Sequence, residues 1–128
     1  MSQIYTSGNP VFPPSNLTGT GTSTNGSTVS LITHDLGSVA AVYRFIFYAV
    51  GRDTGSNNGV GYTLFATAKT DGATATVIAT PFDDSDEDAL LVAATADVIA
   101  SGNNVILQVV GVAGETIAYK AVGSYVVV

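Results

Sequence analysis

The sequence has 128 residues, the length of one domain with a single hydrophobic core. Ten acidic residues against four basic ones give a net charge of -6, which opposes binding to nucleic acid and to anionic membranes. No apolar run approaches the roughly 20 residues that cross a bilayer, the N-terminus lacks a signal-peptide pattern, and there is no cysteine for disulfides or thiolate metal ligands. We therefore expect a protein that is made and kept in a cytoplasm or released by lysis, and that is stabilised by packing and association.

The first segment, residues 1–27, shows neither a helical nor a strand period. Its three prolines favour extended or polyproline conformations, and residues 18–28 are all Gly, Ser, Thr or Asn, a composition typical of flexible linkers. We predict an extended N-terminal arm with a flexible linker over residues 1–27 and a folded body over residues 28–128. The candidate docking residues of the arm are Ile4, Tyr5, Val11 and Phe12.

The body begins with two predicted strands, residues 28–35 and 39–50, on either side of a Leu-Gly-Ser turn. The second strand is apolar on both faces, which predicts a central place in a sheet. The stretch RDTGSNNGVG that follows has the composition of a loop. The next stretch, YTLFATAKT, alternates and ends at Asp71 and Gly72, which predicts a tight hairpin.

The second half of the body continues with short segments between turns. The stretch PFDDSDED carries five of the ten acids and is predicted to be a solvated loop that folding does not require. The stretch ALLVAATADVIA predicts a short helix followed by a strand, and VILQVVGV and ETIAYKAVGSYVVV predict two more strands, the last interrupted at Gly123. Without a βαβ rhythm, these elements predict an all-β fold, an antiparallel β-sandwich or jelly roll.

No residue pattern predicts catalysis. His34 is the only histidine, and Asp35 beside it points to the opposite face of a strand, so the two cannot act together. One histidine and no cysteine exclude a tetrahedral zinc site. We therefore predict no catalytic residue, no cofactor and no metal site.

Two side-chain groups allow alternative interpretations. The carboxylates of residues 83–88 are oxygen ligands of the kind that calcium prefers, so calcium binding stays an alternative to a solvated loop. Aromatic residues at alternating positions favour a core over a sugar- or base-stacking platform. These aromatic residues are Tyr43, Phe45, Phe47, Tyr48, Tyr62 and Phe65.

From residue 39 onward, the order of motifs resembles a small domain of tailed-bacteriophage virion proteins. Those proteins share a strand closing on a Gly-Arg-Asp-Thr turn, a Lys-x-Asp-Gly hairpin and a Ser-Gly-Asn turn before an alternating strand. The matching residues here are Gly51, Arg52, Asp53, Thr54, Lys69, Asp71, Gly72, Ser101, Gly102 and Asn103. The last strand departs from the pattern, because Tyr119 stands where the family often has tryptophan.

The resemblance implies a non-enzymatic structural protein of the virion that assembles as an oligomer, often a trimer. The composition agrees, because 11% charged and 46% hydrophobic residues are unusual for a small protein whose whole surface is wet. Our leading interpretation is a capsid decoration (cement) protein that contacts the major capsid protein or other virion proteins. The alternatives are a tail-fibre or appendage protein that contacts host-surface glycans, and an enzyme with an unrecognised site. We expect self-association through the uncharged stretches at residues 105–110 and 125–128.

Overall fold

The computed structural model describes residues 16–78 and 82–128. The candidate docking residues Ile4, Tyr5, Val11 and Phe12 lie outside these ranges, so their role stays a prediction. The strands are β1 (Leu17–Thr24), β2 (Thr28–Asp35), β3 (Ala41–Asp53), β4 (Gly59–Thr70), β5 (Ala75–Val77), β6 (Phe82–Glu87), β7 (Thr95–Ser101), β8 (Asn104–Val110) and β9 (Thr116–Val127). Among these residues, no helix is long and apolar enough to span a membrane.

The strands form two antiparallel sheets packed against each other, which confirms the predicted all-β sandwich. The large sheet has the order β1-β9-β3-β4-β5, and β6 also pairs with β4. The small sheet has the order β2-β8-β7. Strand β3 lies between β9 and β4, the central place that its two apolar faces predicted.

The core lies between the sheets and contains a row of aromatic rings on β3. Tyr43, Phe45 and Phe47 occupy alternate positions on the inner face and are buried. Their rings stack at centroid separations of 5.6 Å and 5.4 Å, with interplanar angles of 11° and 9°. Tyr62 on β4 is also buried, so the core interpretation is confirmed for these four aromatic residues. It is wrong for Tyr48 and Phe65, which are only half-buried, on the opposite face of the large sheet.

The flexible-linker prediction is wrong for Leu17–Thr24, because these residues form β1 and pair with β9 without a break. Two inward-facing glycines explain how so polar a strand fits. A Cβ on Gly19 would overlap the carbonyl oxygen of Leu31 on β2, and a Cβ on Gly21 would lie 2.6 Å from Cγ1 of Val29. The two glycines therefore allow the two sheets to lie close together at this point. The Thr and Ser residues of β1 pair with β9.

The acidic stretch also differs from its prediction, because Phe82–Glu87 is an edge strand rather than a loop. Acidic side chains on an edge strand disfavour pairing with another chain. The predicted short helix is a single 3₁₀ turn at Ala89–Leu91. Strand β9 runs through Gly123 without the predicted interruption, and a Cβ at this glycine would lie 2.5 Å from the Phe47 ring.

Candidate interaction surface

The outer face of the large sheet exposes an apolar band to solvent. It consists of apolar side chains on β3 and β9 that alternate with the core residues of these two strands. Val42, Val50, Val122 and Val126 are 45%, 59%, 40% and 57% exposed. Ile46 lies half-buried between them. Exposed apolar side chains grouped on one face of a small protein point to contact with another surface.

A shallow pocket of about 310 Å³ lies in this outer face. Arg44, Ile46, Ser124 and Val126 contribute to its lining. The guanidinium of Arg44 lies 5.8 Å from the ring centroid of Phe65 and donates a hydrogen bond of 2.8 Å to the hydroxyl of a threonine on β4. Ser124 is 1% exposed, and its hydroxyl has no hydrogen-bond partner among the described residues. The pocket therefore combines apolar walls with one cation at its rim.

All four basic residues of the chain lie on this outer face. Arg44 and Arg52 on β3, Lys69 on β4 and Lys120 on β9 are all exposed. The outward positions of β1, β9, β3 and β4 carry no aspartate or glutamate, whereas the neighbouring strand β6 turns Asp84 and Asp86 to this same side of the sheet. Within residues 16–78 and 82–128, no ion pair joins these cations to a carboxylate. We call this surface the basic face; it is positive on a protein whose net charge is -6.

Five carboxylates lie along one edge of the same sheet. They belong to β6 and to the residue after it, and the side chains are Asp83, Asp84, Asp86, Glu87 and Asp88. We call residues 83–88 the acidic edge. Asp88 accepts a hydrogen bond of 2.7 Å from the backbone N–H of Gly59, which fixes the end of this strand against β4. In the part of the chain that the structure describes, no three His, Asp or Glu side chains are grouped so that they could hold a metal ion.

His34 lies half-buried on β2, facing the core rather than a catalytic partner. Its ring centroid lies 4.9 Å from that of Tyr125 and 6.1 Å from those of Tyr43 and Phe45. Asp35 points to the opposite side, as its adjacent position predicted, and accepts a hydrogen bond from a backbone N–H of the following turn. Burial lowers the pKa of His34, against the opposing effect of the Asp35 charge.

We expect the free energy of unfolding to decrease as the pH falls from about 7.5 to about 5. Because the fold lowers the pKa of His34 from 6.5, the unfolded chain binds the proton more readily. The contribution of His34 is therefore complete above its usual pKa and is lost as the pH falls through the pKa of the folded state. Urea unfolding at a series of pH values should show a shallower dependence for His34→Gln than for the unmodified protein. Equal slopes for the two proteins would contradict this assignment.

A carboxyl pair organises the turn between β3 and β4. Asp53 is 1% exposed and accepts hydrogen bonds from the backbone N–H of Gly55 at 2.9 Å and from the hydroxyl of Ser56 at 2.8 Å. Its interaction with Glu115 lowers the pKa of Asp53 and raises that of Glu115. Glu115 is therefore the carboxyl group of the pair that binds a proton more readily. Two carboxyl groups with separated pKa values can serve acid and base roles in enzymes. Here, however, the turn itself occupies the Asp53 oxygens, which indicates a structural role.

One stretch predicted to mediate self-association contributes instead to the core. Val105, Leu107 and Val109 on β8 are fully buried within the same chain. Their lack of charge is therefore explained by the protein's own core, and the prediction is wrong for these three side chains. Val126 and Val127 on β9 and Val128 after it are exposed, so this second stretch can still take part in an interface.

No family model matches the sequence. No curated protein matches it significantly. The resemblance to bacteriophage virion proteins therefore depends on the turn and strand motifs quoted above.

The basic face is the surface feature that the sequence interpretation missed. A signal was present, because Arg44 and Arg52 alternate with the core residues of β3 and Lys69 alternates with those of β4. Alternation alone places these three cations outward. Only the strand pairing shows that they share one face with Lys120, since β3 lies between β4 and β9.

Proposed function

We propose that the protein is a non-enzymatic structural protein of a bacteriophage virion, and that it decorates the capsid as an oligomeric cement protein bound to the major capsid protein. The observation that supports an assembly role is the basic face, where exposed valines and four exposed cations share one side of the large sheet. The virion context is supported by the motif resemblance.

An assembly role fits the polar groups better than catalysis does. His34 packs against aromatic rings, and Asp53 is engaged by its own turn. Neither arrangement places a nucleophile beside a base, which acid–base and nucleophilic catalysis require. Apart from the hydrogen bonds of Arg44 and Asp88, the charged side chains of the basic face and the acidic edge are largely exposed, and both surfaces are suited to contact with other proteins.

The second candidate is a tail-fibre or appendage protein that contacts host-surface glycans. Its predicted binding elements were the aromatic residues and the RDTGSNNGVG loop. Most of those rings are buried, and the carboxylate of Asp53 in that loop is occupied within the turn, so the geometry favours the capsid role. Quantitative protein analysis of purified particles separates the two: hundreds of copies per particle support cement, and tens or fewer support a fibre.

We expect that deleting residues 1–15 leaves the body folded and oligomeric but releases it from the particle. The fold should survive because β1 begins at Leu17, beyond the deletion. An extended arm covers much surface per residue, and its prolines reduce the entropy lost on docking. Circular dichroism, light scattering and the amount of protein bound to purified virions measure the three properties.

Two full-length variants distinguish the loss of docking side chains from the shortening of the arm. One replaces Ile4, Tyr5, Val11 and Phe12 by serine, and the other replaces four polar residues of the same arm by alanine. Only the first should lose binding to the particle. Full retention of the deletion variant on virions would show that the arm has no docking role.

A further inference from the structure

We propose that two copies of this protein pair face to face, with the outer sides of their large sheets in contact around a two-fold axis. The axis runs parallel to the strands, between β3 and β4. Strand β3 of each subunit then lies over β4 of the other, and β9 lies over β6. This inference deepens the proposed self-association and does not depend on the virion location.

The outer face of each subunit has a ridge on β3 and a groove on β4. On the ridge, Val50 is 59% exposed and pairs in register with Gly61 of β4. Arg52 is also exposed and pairs with Gly59. The groove above these two glycines has a volume of about 480 Å³, with Val50 on one side and Asp86 of β6 on the other. The proposed rotation places the ridge of each subunit in the groove of its partner.

Packing within the subunit does not require either glycine. A Cβ on Gly61 would lie 4.0 Å from the nearest carbonyl oxygen, and a Cβ on Gly59 would lie 3.8 Å from one, both ordinary contact distances. Neither residue has a positive φ. Because glycine inside a strand costs stability, two glycines at successive outward positions need another cause. A partner side chain that occupies the space above them supplies this cause.

The charges beside the ridge and the groove are also complementary under this rotation. Lys120 of β9 pairs in register with Val50, and Asp86 of β6 pairs with Gly61, so all four residues form one row across the sheet. The axis lies midway along this row and brings the lysine of each subunit opposite the aspartate of the other. Neither charged side chain has a hydrogen bond or an ion pair with another described residue. Opposite charges attract across an interface and fix its orientation.

A second pair of charges lies at the end of the groove. Asp88 accepts a hydrogen bond from the backbone N–H of Gly59, and its Oδ2 would lie 4.0 Å from a Cβ on that glycine. Arg52 of the other subunit enters the groove above Gly59 and therefore comes next to this carboxylate. The two-fold axis repeats each of these contacts.

The size of the outer face fits one contact. Strand β3 has 13 residues. At about 3.3 Å per residue and with strands about 4.8 Å apart, β9, β3 and β4 measure roughly 40 Å by 15 Å, or about 600 Å², and β6 extends this area. A stable interface covers about 800 Å² per partner, so the face supplies most of the area that is needed. Two packed sheets keep their strand directions within about 30° of each other, which an axis parallel to the strands allows.

The first test fills the groove and measures the mass by sedimentation. In Gly61→Val the new side chain has room within its own subunit but occupies the space of the partner's ridge. We expect a folded protein whose dimer dissociation constant is raised at least about tenfold. The matched control is Thr22→Val, which adds an apolar side chain to the outward side of β1, beyond the four contacting strands. This control should leave the dimer intact, and circular dichroism confirms that both variants are folded.

The second test joins lysine to carboxylate with a carbodiimide, which adds no spacer. Within one subunit, Lys120 and Asp86 are three strand spacings apart, or about 14 Å, which exceeds the reach of the two side chains together. A bond between them, located by mass spectrometry, therefore identifies a contact between two subunits. Because a two-fold contact is closed, cross-linked products should stop at the dimer at every protein concentration.

Three results overturn this inference and leave the proposed assembly role standing. They are an unchanged dissociation constant for Gly61→Val, the absence of the bond between Lys120 and Asp86, and cross-linked trimers or longer products. A monomer at micromolar concentration overturns self-association itself. The copy number on virions is measured separately and tests only the virion location.

Discussion

Replacing Gly19 by alanine should destabilise the protein by at least about 3 kcal/mol, although it adds one methyl group to a polar strand. The added Cβ would overlap the carbonyl oxygen of Leu31, and a backbone atom held in β2 cannot move aside as a side chain can. Relief of the overlap would require β1 to separate from β2 or from β9. Urea unfolding followed by circular dichroism measures the loss.

The matched control for this change is Gly61→Ala on β4. Gly61 also lies in a strand of the large sheet, but a Cβ there would have its nearest neighbour, the carbonyl oxygen of Ala49, at 4.0 Å. Adding a methyl group to this position should leave the free energy of unfolding the same or raise it by up to about 1 kcal/mol, since alanine loses less backbone entropy than glycine. If Gly19→Ala were as mild as Gly61→Ala, β1 would not pack against β2 as the structure shows.

Replacing Phe45 by alanine should cost about 3 to 5 kcal/mol. Phe45 is fully buried and stacks between the rings of Tyr43 and Phe47, so truncation leaves a cavity that two neighbouring rings cannot fill without losing their own contacts. Since a domain of this size is stabilised by about 5 to 15 kcal/mol in total, this one change removes a large share of it. Thermal and urea unfolding should both show the loss.

The control for Phe45→Ala is Val50→Ala on the same strand. Val50 is 59% exposed on the basic face and should change the stability by less than about 1 kcal/mol. Similar losses for the two variants would mean that the row of stacked rings does not form the centre of the core. The comparison therefore tests the assignment of inner and outer positions along β3 directly.

The parts of the fold that the sequence predicted are those where apolar and polar residues alternate. Strand β3 and the hairpin after β4 follow this pattern, because inward positions must be apolar to fill the core. Strand β1 does not follow this pattern. Its inward positions are Gly19 and Gly21 because β2 lies too close for larger side chains. Composition alone cannot distinguish such a strand from a flexible linker, because both are rich in Gly, Ser and Thr.

The acidic edge and the basic face could also be predicted only in part, because both depend on how the strands of the large sheet pair. The acidic edge is visible in the sequence as a cluster of charge, but its strand conformation comes from pairing with β4. The basic face consists of single cations spread over 77 positions of the chain, from Arg44 to Lys120, and becomes a surface only when β4, β3 and β9 lie side by side. Its recognition requires the strand order, which depends on contacts between distant parts of the chain.

The position of β9 has a consequence for synthesis of the protein. Strand β9 lies between β1 and β3, so the large sheet cannot be completed until residues 116–127 have left the ribosome. Until then β1 has no strand partner. If β1 were a long apolar strand, it would bind other exposed strands at this stage and aggregate. Because β1 consists of threonine, serine and glycine after Leu17, it remains hydrated before it pairs. The linker-like composition of β1 therefore limits aggregation of this strand before β9 is synthesised and can pair with it.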